Sequence, residues 1–317
     1  MSVTTAELRD RLRGPVVAMT TPFNRDLSLD LGGLRRLTEF YVESGIRTVI
    51  AAGSTGEFAA LSDDERRQVI QTVVEHAGGR VTVIAGCAHS GTKLTSDLVR
   101  FAEDIGADGA MITPPYYGFD GVDGLRRHYE LIAEASPLPV VIYFSGAVLS
   151  KVTNIIADPR LLYRLCEVPT IAGFKDATGN WAFHRDIALA LKGRVAVMGS
   201  AGMNHYLWGH IFGAPCFLTG LGNIWPKVEL EFYQALERGD RVTAERIAIE
   251  QDVAYLRAAT KHNYFAAVKV LLDAAGLPGG PMRPPLLDWP EQSAEGLRQA
   301  MVGIGLLHPR TPSVRRG

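Results

Sequence analysis

The sequence predicts an α/β fold, a (β/α)8 (TIM) barrel with a C-terminal helical appendage, and three observations carry that expectation. Eight short apolar runs recur through the first two thirds of the chain. Their near-continuous Val, Ile and Ala character is what strands buried on both faces require, and each is followed by a stretch of helical period. A length of 317 residues with 47% apolar composition supports one large core, because α/β barrels routinely exceed the usual domain size. Alternation sustained over so many units favours closure, since an open doubly wound sheet more often stops at about five or six strands.

Taken in order, the first strand is expected over residues 16–19. A stripe of Leu34, Leu37, Phe40 and Tyr41 follows and ends at Gly45, as an amphipathic helix with a glycine stop does. The second strand covers 48–52. Ser62-Asp-Asp-Glu65 then reads as a capping box ahead of Val69, Ile70, Val73 and Val74, stopped by Gly78-Gly79. The third strand, 81–85, leads to Leu94, Leu98, Phe101 and Ile105, with Gly106 as the stop. Further strands are expected at 109–113, 140–143, 170–174, 195–198 and 216–219. From about Lys227 the pattern is helical only: Val228-Glu-Leu-Glu-Phe-Tyr233, then 241–259, then 264–275. Gly276 and the Pro/Gly-rich stretch 277–285 set the last helix apart. The expected organisation is a barrel over 1–226, a C-terminal helical segment over 227–308 and a disordered tail over 309–317.

Composition narrows the function. A net charge of −1 supplies no field to gather nucleic acid or anionic lipid. Cys87, Cys166 and Cys216 are distant from one another and lack C-x-x-C spacing, so they read as buried apolar residues in a reducing compartment. The N-terminal stretch has no apolar signal region, and no apolar run approaches the ~18 residues of a membrane span. A cytoplasmic protein with a small-molecule substrate is expected.

Barrel enzymes carry their chemistry at the C-terminal ends of strands. Strand two runs into Gly53-Ser-Thr-Gly-Glu57-Phe58, a turn whose N–H groups and hydroxyls suit a carboxylate, although such turns are often only turns. Strand six ends in Ala172-Gly-Phe-Lys175-Asp176. A lysine at the end of an apolar strand is costly to bury charged and shifts toward the neutral amine, which adds to keto groups. The alternative is an ammonium reaching solvent past the barrel rim. Tyr143 at the end of strand five and Tyr116-Tyr117 after strand four could join Lys175 and the Ser54/Thr55 turn as a proton relay, or could simply cover the barrel edge. Other sites fail: His205 and His210 lack metal-ligand spacing, Gly220-Leu-Gly222 is no dinucleotide fingerprint, and no G-x-S-x-G elbow occurs.

Together these motifs carry a resemblance. Met19-Thr-Thr-Pro-Phe23, Gly53-x-Thr-Gly-Glu57, Pro115-Tyr-Tyr117, Ile142-Tyr143, Gly173-Phe-Lys-Asp-Ala-Thr-Gly179 and Gly279-Gly-Pro-Met-Arg-Pro-Pro285 make the chain similar to the dihydrodipicolinate synthase/N-acetylneuraminate lyase family of class I aldolases. The resemblance covers nearly the whole chain. It implies a Schiff base on Lys175, proton shuttling by Tyr143, a relay completed by Thr55 and Tyr117, and a substrate carboxylate held by Gly53, Ser54 and Thr55. It places Tyr116 at a subunit interface of a homodimer or homotetramer. It implies no cofactor beyond the covalent imine, no metal and a 2-keto acid substrate.

The run after strand five departs from the lysine-pathway pattern. Tyr143-Phe-Ser-Gly-Ala-Val148 stands where Asn-x-Pro-x-Arg would follow the tyrosine, so the arginine that binds the aldehyde's carboxylate is replaced by Val148. The strand-two Gly-x-Thr-Gly-Glu-Phe58 and strand-six Gly-Phe-Lys-Asp motifs resemble the sugar-acid branch, whose glucarate-type dehydratases tend to lack a tyrosine at the position of Tyr117. The reading placed first is dehydration or aldol cleavage of a 2-keto-3-deoxy sugar acid, in the manner of 5-dehydro-4-deoxyglucarate dehydratase. The alternative is pyruvate–aldehyde condensation as in 4-hydroxy-tetrahydrodipicolinate synthase. A third, of another class, is a non-catalytic barrel that binds keto acids, which would need no proton relay.

Overall fold

The eight apolar runs become eight parallel strands, and they close. They are β1 (Gly14–Ala18), β2 (Thr48–Ala51), β3 (Thr82–Gly86), β4 (Gly109–Ile112), β5 (Val140–Phe144), β6 (Ile171–Asp176), β7 (Ala196–Gly199) and β8 (Cys216–Leu218). Neighbours pair in chain order, and β8 returns to β1 with Gly14 opposite Cys216. The structure, a computed structural model, describes residues 3–200, 202–218 and 220–308. The tail expected over 309–317 and Thr219, the last residue expected in strand eight, lie outside them.

Two apolar clusters follow from the alternation of side chains on each strand. One fills the barrel: Val16, Ile50, Ile84, Met111, Val141, Ala172, Met198 and Cys216 point inward, and Leu8 and Leu12 plug its lower end. Those leucines come from the helix Thr5–Arg11 and its C-cap, which Thr4 and Glu7 start with a reciprocal capping box. The other cluster packs the outer faces of the strands against the surrounding helices. The helix Asp63–Ala77 begins at its Ser62/Glu65 capping box and ends at Gly78 in the left-handed region, as its sequence requires.

One irregularity decides where Lys175 points. Val140 pairs with Ile171, but Val141 pairs with Gly173, so the register slips by one residue. Ile171 belongs to the outer cluster, and strict alternation would send residues 173 and 175 outward with it. The bulge reverses this, the usual effect of one extra residue in a strand. A side chain at Gly173 would meet Leu12 and Val141 of the interior, both at 3.3 Å, so the glycine leaves room below the lysine.

The chain beyond β8 wraps back over the barrel. The helix Pro226–Glu237 sets Phe232 edge-on against Phe217 of β8, with ring centroids 5.6 Å apart. The region expected as one helix over 241–259 is interrupted: Arg241–Ile247 and Ala254–Ala259 flank a π-helical turn, Ala248–Val253. Tyr264–Ala274 and Glu291–Gly303 complete the segment. Among the described residues no helix is long and apolar enough to cross a membrane.

Candidate active site

Lys175 sits in the last turnings of β6, paired with Tyr143 on β5 and Met198 on β7. It is 4% exposed. Its Nζ lies 3.9 Å from the centroid of the Tyr143 ring. Burial pulls the ammonium from 10.5 down to about 7. A substantial fraction is therefore neutral amine near neutral pH, which is the nucleophilic form.

Tyr143 is buried, and burial pushes its phenol up, opposed by a hydrogen bond with the Ser54 side chain. That contact joins β5 to the turn after β2. The turn is tight: the N–H of Glu57 donates to the Ser54 carbonyl (3.1 Å) and the N–H of Phe58 to that of Gly53 (3.3 Å). Ala52 and Glu57, at its two ends, have φ of 53° and 56°, a conformation that side chains resist. Thr21, just after β1, donates its hydroxyl to the Gly56 carbonyl at 2.7 Å. With its carbonyls so engaged, the turn leaves the N–H groups of Ser54 and Thr55 without a protein partner among the described residues. Free N–H donors beside a hydroxyl form a seat for an anion.

The structure thus brings Lys175, Tyr143 and Ser54 into one contiguous group, with Gly53 and Thr55 in the same turn. The hydroxyl that meets the phenol is Ser54's, whereas the resemblance pointed to Thr55, which is buried alongside. Tyr117 is not part of the group within one chain. It is 88% exposed, and its carbonyl accepts a hydrogen bond from Lys151. Tyr116, 40% exposed, lies near Phe58, with ring centroids 6.4 Å apart.

Two residues beside the site, Asp176 and His184, were given no role by the sequence. Asp176, next to the lysine, points out of the barrel and is 1% exposed. Its carboxylate accepts from His184 Nδ1 at 3.0 Å and from the N–H of Thr178 at 2.9 Å, while its carbonyl accepts from the Ser200 hydroxyl. These bonds tie down the end of β6. An aspartate eight residues before a histidine carries no signal until the bulge sets their faces. Val148 is fully buried, so no cation stands at its position. Arg160 and Arg164 are engaged at the surface by Asp158 and Asp123.

Comparisons with known proteins agree with this fold. A family model described as the dihydrodipicolinate synthetase family matches residues 11–302. The 4-hydroxy-tetrahydrodipicolinate synthase of Methylococcus capsulatus is 34% identical over 297 residues, 93% of this chain and all of that protein. The enzyme of the same name from Anaeromyxobacter dehalogenans is 35% identical over 299 residues, 93% of this chain and 98% of the relative. Among solved structures, the dihydrodipicolinate synthase of Acinetobacter baumannii complexed with pyruvate superposes with a TM-score of 0.83 at 30% identity, covering 93% of this chain and 100% of that one. The N-acetylneuraminate lyase of Mycoplasma synoviae, 22% identical with a TM-score of 0.81 over 92% of this chain and 98% of its own, shares the fold.

Proposed function

We propose, from the premise that this chain belongs to the dihydrodipicolinate synthetase family, that Lys175 captures pyruvate as an imine whose enamine form then adds to an aldehyde. The observation that carries the reading is a buried lysine held near pKa 7 beside a phenol that is itself hydrogen-bonded to a hydroxyl. The neutral Nζ attacks the keto carbon, and the carbinolamine loses water to give the protonated imine. Loss of a methyl proton gives the enamine, whose carbon bonds to the aldehyde carbon as the aldehyde oxygen takes up a proton. Water then releases the product and restores the amine. Each step moves a proton, and Tyr143 with Ser54 is placed to carry it. The free N–H groups of Ser54 and Thr55 receive the pyruvate carboxylate. Tyr117 and Tyr116, at the exposed edge of the site, belong to an assembly face of a homodimer or homotetramer.

Dehydration of a sugar acid, placed first on sequence motifs, would use the same imine. The curated relatives carry the name of a condensing synthase and favour the alternative, pyruvate–aldehyde condensation. The acceptor is the open element. With Val148 buried and apolar, an aldehyde bearing a carboxylate has no guanidinium to receive it there, so acceptors without that group are preferred. A screen pairing pyruvate with aldehydes, and separately supplying 2-keto-3-deoxy acids, tests this by product mass. New carbon–carbon products from pyruvate support the reading. Products only from loss of water by the deoxy acids would replace it with dehydration.

A further inference from the structure

We propose that Lys269, in the C-terminal segment, is a positioning residue for the substrate carboxylate: acting through Glu57, it holds the turn that contains Ser54 in its binding shape. The proposal rests on the pyruvate reading above. Glu57 closes that turn, with its N–H on the Ser54 carbonyl and its backbone at a φ of 56°. A glutamate adopts this conformation only when its surroundings over-determine it. Its side chain, 2% exposed, supplies the constraint. One carboxylate oxygen lies 2.5 Å from Lys269 Nζ, and the other accepts the N–H of Arg283 at 2.9 Å.

Lys269 is fixed in turn. It is 2% exposed, donates to the Pro281 carbonyl at 2.8 Å and lies 4.3 Å from the centroid of the Phe23 ring. Burial pulls its ammonium down, with Glu57 opposing. Arg283 braces the same region with a two-pronged bond to Glu65, at 2.7 and 2.8 Å, and donates to the Leu27 and Ala60 carbonyls. The C-terminal segment therefore grips the turn after β2, the loop after β1 and the start of the helix Asp63–Ala77 at once.

Stability is a poor reason for the Lys269–Glu57 pair, because burying two charges costs about as much as their attraction returns and an apolar pair would serve as well. What the pair provides is direction. It aims the Glu57 backbone, and through it the Ser54 hydroxyl and N–H, at the space above Lys175.

The test compares wild type, Lys269→Met and the double variant Lys269→Met/Glu57→Gln. Pyruvate affinity is measured by calorimetry, thermal midpoint by melting, and covalent capture on Lys175 by borohydride reduction. The double variant removes the unpaired buried charge and carries the test should the single variant fail to fold. The expected result is a pyruvate Kd raised at least ~10-fold in both variants, since small misplacements of a binding group are costly. The thermal midpoint should recover in the double variant without the Kd recovering. A wild-type Kd in either folded variant overturns the role of Lys269 while leaving the pyruvate reading intact. Wild-type protein that binds pyruvate without capture on Lys175 sinks the imine alone, with the Kd comparison still deciding the role of Lys269. Wild-type protein that does not bind pyruvate overturns both.

Discussion

Lys175 illustrates how far a single residue could be read and where reading stopped. Its place at the end of an apolar strand made it a candidate, because an ammonium there must lose its charge, find a partner or reach solvent past the rim, and the structure shows burial with no carboxylate partner among the described residues. With its pKa near 7, well below 10.5, capture of pyruvate should accelerate as pH rises through about 7 and level off above it. A pH-independent rate between 6 and 8 would contradict this. The same shift has a stability consequence. The folded chain gives up the Lys175 proton near pH 7 and the unfolded chain near 10.5, so the cost of burying the charge is fully present below 7 and fades as pH rises toward 10.5. Lys175→Met is therefore expected to stabilise the protein near neutral pH, by a few kcal/mol at most, about 1.4 for each pKa unit before relaxation. Denaturant melts at pH 6.5 and 9.5 should show the gain shrinking at the higher pH. Which hydroxyl meets Tyr143 was beyond reach, because Ser54 and Thr55 are adjacent and only the turn's backbone decides which faces inward. Tyr143→Phe and Ser54→Ala should each lower turnover ~10²-fold or more while imine formation is less affected. Equal losses in capture and turnover would instead mark them as binding groups.

At the scale of elements, the strands were legible because parallel strands covered on both faces write a continuous apolar run. Every strand came out within about two residues of its expected place. The helix Asp63–Ala77 was legible for a local reason, its capping box. The same signal, Thr4-x-x-Glu7, starts the N-terminal helix that plugs the barrel, yet without a long apolar stripe behind it the helix went unmarked. The bulge in β6 was illegible in principle, since register belongs to two strands and neither sequence contains it. The approach of β2 to β3 offers a test of how strictly the backbone is set. A Cβ on Gly86 would lie 2.0 Å from the Ala52 carbonyl oxygen, immediately before the substrate turn. Gly86→Ala should therefore cost about 1–3 kcal/mol, as overpacking does, and weaken pyruvate binding as well. A stable Gly86→Ala variant with unchanged pyruvate affinity would show that the turn tolerates displacement.

For the whole molecule, composition and periodicity led to a closed barrel, and the motifs at its strand ends led to the family. The order of the two chemical readings was not settled by motifs, because Gly-Phe-Lys-Asp supplies the amine that both readings use and carries no mark of the second substrate. The relatives reverse that order in favour of condensation. On the proposed reading Val148, buried and apolar, offers no cation to the carboxylate of an aldehyde acceptor. A coupled reductase assay with pyruvate and aspartate semialdehyde should give kcat/KM below about 10⁴ M⁻¹s⁻¹, the low end of ordinary enzymes. A higher value would mean that another cation receives the aldehyde's carboxylate. The proposed chemistry depends on one covalent event. Incubation with pyruvate and borohydride, followed by peptide mass mapping, should place a reduced pyruvyl group on the peptide containing Lys175; no adduct, or one on Lys151 instead, would contradict the account.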